Sequence, residues 1–226
     1  MVNTGQLQTL SFTQYSEVES TAKIVPESVP RTMLMKKVGV NISSAVSRYL
    51  ANNGYKDRLK EFEWEFNLAV ENTVNAWCMP RGKVMFYTGI LPICAGEDEI
   101  ALVMRHEVAH ATARHGNERM SQGMLAQGVV ALGQIGTSGS TPAVQAIFNQ
   151  SFGVGSQLGL LKFSRNNESD ADKLGLVFMT MAGYEPATAA EFWKRMSTAK
   201  GDGQAPPEFM STHPSDERRI ADILEY

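Results

Sequence analysis

The sequence predicts an α+β fold, a mostly helical domain carrying a small antiparallel sheet of about three strands. Three observations carry that expectation. Apolar residues alternate with period two in one stretch before residue 72, a hairpin signature follows directly, and helical spacing dominates from residue 97 to the end. Strands that cluster early and helices that cluster late do not form the alternating pattern of a parallel, doubly wound sheet.

The elements follow in order. Residues 1–32 are polar and irregular, with Pro26 and Pro30 as breakers, and read as an N-terminal arm, either extended or packed on the domain. Leu34, Val38, Ile42, Val46 and Leu50 fall at four-residue steps, so Met33 to Asn53 reads as a helix with one buried stripe, ended by Gly54. In "EFEWEFNLAVE" (61–71), Phe62, Trp64, Phe66, Leu68 and Val70 alternate with mostly polar residues, the period of a strand. "VNAWCMPRGKVMFYTG" (74–89) has two apolar arms around Pro80-Arg81-Gly82 and reads as a hairpin. Helices are then expected at 97–115, 117–134, 142–152, 164–182, 186–199 and 214–225, the third opened by Thr141 before Pro142. "GQIGTSGS" (133–140) and "FGVGSQLG" (152–159) read as loops. Residues 33–226 are expected to form one domain around a single core.

Bulk properties exclude several function classes. The chain has 226 residues, 43% of them hydrophobic, and a net charge of -3, so nothing favours nucleic acid or an anionic membrane as partner. No apolar run approaches the roughly 18 residues that span a bilayer, so no transmembrane segment is expected. "MVNTGQLQTL" has neither the basic nor the apolar region of a signal peptide. Either the protein is cytoplasmic or a targeting segment precedes this sequence. Cys78 and Cys94 read either as a disulfide in an oxidising compartment or as two small buried hydrophobes.

The chemistry concentrates in "RHEVAHATARHG" (105–116). His106 and His110 are four residues apart and project from one side of a helix, where two imidazoles can share one zinc ion. Glu107 stands at the edge of that face, within reach of a water on the metal. Ile100, Leu102, Val103 and Met104 make the first half of the helix a buried one, where a polar pair without a partner would be unfavourable. A catalytic zinc needs a third protein ligand and an open position. His115 lies five residues beyond His110, ahead of Gly116, and reads as a helix-end or surface residue. "SRNNESDAD" (164–172) is the better source: Glu168 and Asp172 are again four apart on an expected helix. Glu168 would complete the ligand set, and Asp172 would accept a hydrogen bond from the far nitrogen of a ligand histidine. Asp170 points elsewhere and reads as solvated.

Together, "NAWCMPRGKVMFYTGIL" (75–91), "HEVAH" (106–110), "FSRNNESDAD" (163–172) and "STHPSDERRI" (211–220) resemble family forty-eight of the metallopeptidases. These gluzincins include HtpX-type, BepA/LoiP-type and CAAX-prenyl-protease-type enzymes. The resemblance covers residues 33 to 226 and keeps the family's motif order. It implies a zincin-type metallopeptidase domain with one Zn2+ per chain on His106, His110 and Glu168, and Glu107 as the general base. It further implies His213 near the metal, as an oxyanion donor or as a cap on a latent site, with Arg219 beside it as a second cation. The implied activity is endoproteolysis of unfolded or misassembled polypeptides, held by strand addition, for which the 74–88 hairpin is the candidate; the glycine-rich segments 133–140 and 152–159 flank the Glu168 helix and read as lids. A latent zinc-bound chaperone or binding protein is the alternative. The implied location is the periplasm or an outer-membrane lipoprotein, the lipid anchor lying on a segment before residue 1, against a cytoplasmic alternative.

Overall fold

The computed structural model describes residues 4–126, 142, 145–148, 163–199, 209, 210, 213, 221 and 223. Along the chain these form α1 (Thr4–Thr21), α2 (Pro30–Asn52), β1 (Glu65–Ala69), β2 (Ala76–Met79), β3 (Lys83–Tyr87), α3 (Glu97–Ala113), α4 (His115–Ala126), α5 (Arg165–Met181) and α6 (Ala189–Thr198). Most of the helices expected at 142–152 and 214–225, the end of that at 117–134, the segments 133–140 and 152–159, and Arg219 lie outside the described residues.

The stripe on α2 is as expected. Val38, Ile42, Val46 and Leu50 are buried, and Gly54 follows the helix with φ +82°. They pack on Phe66 and Leu68 of β1, Val84 and Phe86 of β3, and Ile100, Met104 and Val108 of α3. The helix α3 is buried almost all round, its polar residues Glu99, Arg105, His106, Glu107 and His110 included. Around it stand α2, α5 and the sheet.

The sheet has three strands, but it is mixed rather than antiparallel. Its order is β1-β3-β2. The expected hairpin forms, with Cys78 opposite Val84, and β3 then runs parallel to β1, with Phe66 opposite Val84. Alternation in a sequence reports which side chains share a face but carries no strand direction or order. The hairpin turns so that its second arm, not its first, enters beside β1. Arg81 and Gly82 both take left-handed φ (70° and 78°), and a Cβ on Gly82 would lie 2.3 Å from Trp64. Trp64 is itself stacked between Phe62 (4.7 Å) and Phe66 (6.2 Å).

Residues 4–21 are helical rather than irregular, and of the two expected forms of the arm the packed one is found. Leu10 and Tyr15 of α1 bury against Ala69, Trp77 and Met85, on the face of the sheet turned away from α2. Ser11 Oγ donates to the Pro80 carbonyl at 3.0 Å. The apolar residues of α1 are too sparse to announce a helix, and its stability comes from this docking rather than from propensity. With both sheet faces covered, β1 is buried from Phe66 through Ala69. Next to it, Val25 N donates to Leu68 O and Val70 N to Lys23 O, which closes the outer edge of β1. Among the described residues, β2 has no strand beside it on its other edge.

Candidate metal centre

Two helices build the site. Glu97, Asp98 and Glu99 occupy the first turn of α3, where negative charge is favoured by the helix dipole. Ser164 caps α5: its side chain accepts from Asn167 N at 3.1 Å, while Asn167 Oδ1 accepts from Ser164 N at 3.2 Å. That capping box sets where α5 begins, and so which face carries Glu168 and Asp172. The two helices approach closely at Gly175, where an added Cβ would lie 3.0 Å from the Arg105 backbone oxygen. Arg105, buried between them, donates to the Asp172 backbone oxygen at 2.7 Å.

Of the expected site residues on the two helices, His106, His110, Glu168 and Asp172 meet directly. The Nε2 atoms of His106 and His110 stand 3.0 Å apart. Each is 3.4 Å from an oxygen of Glu168. A tetrahedral ion with arms of about 2.0–2.1 Å has ligand–ligand edges of about 3.4 Å, so this donor set fits zinc. Asp172 Oδ1 accepts from His106 Nδ1 at 3.0 Å, which turns the Nε2 lone pair toward Glu168. His213 also arrives: its Nδ1 is 3.2 Å from His106 Nε2 and 3.0 Å from Glu168 Oε1, and its Nε2 is 3.4 Å from Glu107 Oε1. One donor atom from each of His106, His110, Glu168 and His213 lies within 4.8 Å of the others, and all four residues are buried. Asp170 is exposed, as expected.

Burial governs the protonation of these groups. It opposes the charged form of His106, but the hydrogen bonds to Asp172 and Glu168 outweigh it and raise that imidazole to about 9. Burial, with the positive neighbours His106 and His213, pushes His110 well below its usual range, Glu168 only partly offsetting it. Burial would raise Glu168, yet His213 and the hydrogen bonds from the three histidines hold it well below the ordinary carboxylate value. Glu107 is raised by burial, with His213 and His106 pulling the other way. Burial pushes the Cys78 thiol well up and Cys94 to about 12, and the two are separate free thiols.

One expectation is corrected and one residue is new. His115 is not at the surface: it is buried, with Nδ1 3.0 Å from His110 Nδ1. The helix ends one residue before it, at Arg114, which takes a left-handed conformation (φ 62°, ψ 30°) and turns α4 back toward the site. Arg119, one helical turn along α4 from His115, is buried with its guanidinium 3.9 Å from the Phe163 ring centroid. Burial lowers it to about 10, the charges of Glu168 and Glu107 working the other way. The one sequence signal for Arg119 is its i, i+4 spacing from His115 within α4, which carries nothing while His115 is read as a surface residue. Arg119, Glu107, His110, Phe163 and His213 line one cleft with Ala76, Trp77 and Cys78 of β2.

The sequence model of Peptidase family M48 matches residues 39–226. The chain is 35% identical to "Mitochondrial metalloendopeptidase OMA1" of Schizosaccharomyces pombe over 214 residues, 94% of this chain and 58% of that protein. It is 30% identical to the protein of the same name from Saccharomyces cerevisiae, over 90% of this chain and 58% of that protein. To "Beta-barrel assembly-enhancing protease" of Escherichia coli (strain K12) it is 27% identical, over 70% of this chain and 33% of that protein. The chain thus spans less than two thirds of the length of these curated relatives. With a match over most of its length and a donor set of the right chemistry, the chain belongs to peptidase family M48.

Proposed function

We propose that this protein is a zinc-dependent endopeptidase acting on unfolded or misassembled polypeptides of the cell envelope. The observation that carries the reading is the convergence of His106 Nε2, His110 Nε2 and Glu168 beside Glu107, in a cleft bordered by β2, the edge strand of the described sheet. His106, His110 and Glu168 would hold the ion. When bound, zinc supplies a Lewis acid for the scissile carbonyl and acidifies the attacking water to a pKa of about 7. Glu107 takes the proton from that water and passes it to the leaving amine, and its raised pKa suits a group that must both accept and release a proton. Asp172 holds the orientation of His106. His213, with Arg219 as a second cation, donates to the developing oxyanion. An extended substrate adds to β2 as a further strand, with Ala76, Trp77 and Cys78 alongside Glu107 in the same cleft. Backbone holding of that kind favours unfolded chains over a particular sequence.

Casein digestion by the zinc-loaded protein tests this reading. Glu107→Gln is expected to lower the rate by about 10²–10⁴-fold while zinc stays bound. Equal rates for the two proteins would overturn it. For the compartment, one relative's name refers to β-barrel assembly and two refer to mitochondria. Among the described residues, no helix is long and apolar enough to cross a membrane. Fractionation of cells expressing the native gene tests the envelope reading: recovery with periplasm or outer membrane supports it, and recovery in the cytosol overturns it.

One observation favours a second reading, a latent zinc-bound form. His213 Nδ1 stands against His106 and Glu168, where a catalytic site keeps its open position. In that state the protein binds polypeptide without cutting it. A His213→Ala variant that digests casein faster than the wild type supports latency, and a slower one supports the oxyanion role.

A further inference from the structure

We propose that His115 is a positioning residue for His110: its Nδ1 accepts the Nδ1–H of His110 and so aims the Nε2 lone pair of His110 into the metal site. This rests on the reading of His110 as a metal ligand. The two Nδ1 atoms are 3.0 Å apart, a separation that requires one hydrogen between them. A neutral imidazole that offers Nε2 to a cation carries its hydrogen on Nδ1. His110 is therefore the donor and His115 the acceptor.

Three further features fit that role. Phe163 stacks on His110 with ring centroids 3.9 Å apart and planes 26° apart. Stacking sets the plane of the imidazole but not which nitrogen faces the site, and the in-plane hydrogen bond supplies that choice. The backbone is also turned to make the contact. On a continuous helix, residues five apart lie about 140° apart around the axis, so His115 would point away from His110. The left-handed conformation at Arg114, seldom taken by a residue other than glycine, brings it back. Arg114 is held there by its own bond to Glu61, with Nη2 2.6 Å from Oε1. Finally, the arrangement mirrors the support of His106 by Asp172. Each of the two imidazoles on α3 thus has an acceptor behind it, an anion for His106 and a neutral ring for His110.

The test is zinc affinity by chelator competition, together with the visible spectrum of the Co2+-substituted full chain. His115→Leu removes the acceptor while keeping the bulk. It is expected to weaken zinc binding by about 10–100-fold at unchanged stoichiometry and to alter the Co2+ bands. His115→Asn places an amide oxygen where Nδ1 stood and is expected to restore affinity and spectrum to near those of the wild type. If circular dichroism shows His115→Leu unfolded, His115→Ala takes its place in the comparison. Wild-type affinity in the leucine variant, or an asparagine variant as weak as the leucine one, overturns the positioning role. His110→Ala separates the two readings: zinc held as tightly without His110 overturns its assignment as a ligand, and the proposal with it.

Discussion

Two clusters of polar side chains lie on either side of the sheet region, one half-buried and one buried, and they are built on opposite plans. Between α1 and the sheet, Asn67 Nδ2 faces Tyr15 Oη at 3.0 Å, Glu19 Oε1 at 3.1 Å and Glu65 Oε1 at 3.0 Å. Lys83 Nζ donates to Glu65 Oε2 at 3.1 Å. Donors from Asn67 and Lys83 are interleaved there with the oxygens of Tyr15, Glu19 and Glu65, so donors and acceptors are mixed without an added ion. Between α3 and α5 the balance is reversed. His106 Nε2, His110 Nε2 and a Glu168 oxygen face one point, with Asp172 and His115 behind the two imidazoles, and in the metal-free protein the proton held by His106 takes the place of the ion there. Polar burial alone therefore does not mark a functional site. Convergence of acceptors does, because only a cation resolves it.

The largest effects should come from removing a converging acceptor. Glu168→Ala is expected to take bound zinc from about one ion per chain to none, and casein cleavage with it, as measured by metal analysis of the purified protein. Full zinc content in that variant would break the contrast between the clusters. Next in size is the pH dependence of metal binding. His106 is raised from 6.5 to about 9 in the metal-free protein, so it holds a proton at neutrality that zinc must displace. Affinity should rise about tenfold per pH unit between roughly 6.5 and 9, then level off, as one proton is released per ion. The sign for stability is the opposite. A histidine whose folded pKa is raised stabilises the metal-free fold fully below about 6.5, and that contribution fades as pH rises through about 9. Zinc should thus rescue thermal stability most at alkaline pH.

How far each cluster could be read from the sequence follows from the same difference. His106 and His110, and Glu168 and Asp172, are i, i+4 pairs, so helical geometry alone puts each pair on one face. Their meeting across α3 and α5 was expected from the chemistry of an incomplete ligand set. The approach of His213 came from the family resemblance, since nothing local distinguishes a loop histidine before a proline. His115 is misplaced by its sequence because the helix break falls at Arg114, a residue type with no preference for left-handed φ, while Gly116 offers a more conventional stop. Arg119 was lost with it. The Asn67 cluster was illegible altogether. It depends on α1 docking on the sheet and on β3 lying beside β1, and neither strand order nor the cover on a sheet's second face is written in alternation.

The smallest expected effect sharpens the comparison from the other side. Lys83 is buried and holds Glu65, whose neighbour Glu19 is raised in pKa by burial and then by Glu65 itself. Lys83→Met keeps the aliphatic stem but leaves two carboxylates facing each other across Asn67. Destabilisation at neutral pH should be about 1–3 kcal/mol, read from urea unfolding. Because a carboxyl with a raised folded pKa contributes stability at low pH and loses it as pH rises through that value, the penalty should shrink toward pH 4. Zinc affinity, by contrast, should not move, because no atom of this cluster faces the α3–α5 site. A loss of zinc affinity comparable to that of the His115 variants would mean that the two clusters are coupled through β3. The self-satisfied network would then have to be counted as support for the metal site rather than as a separate anchor for α1.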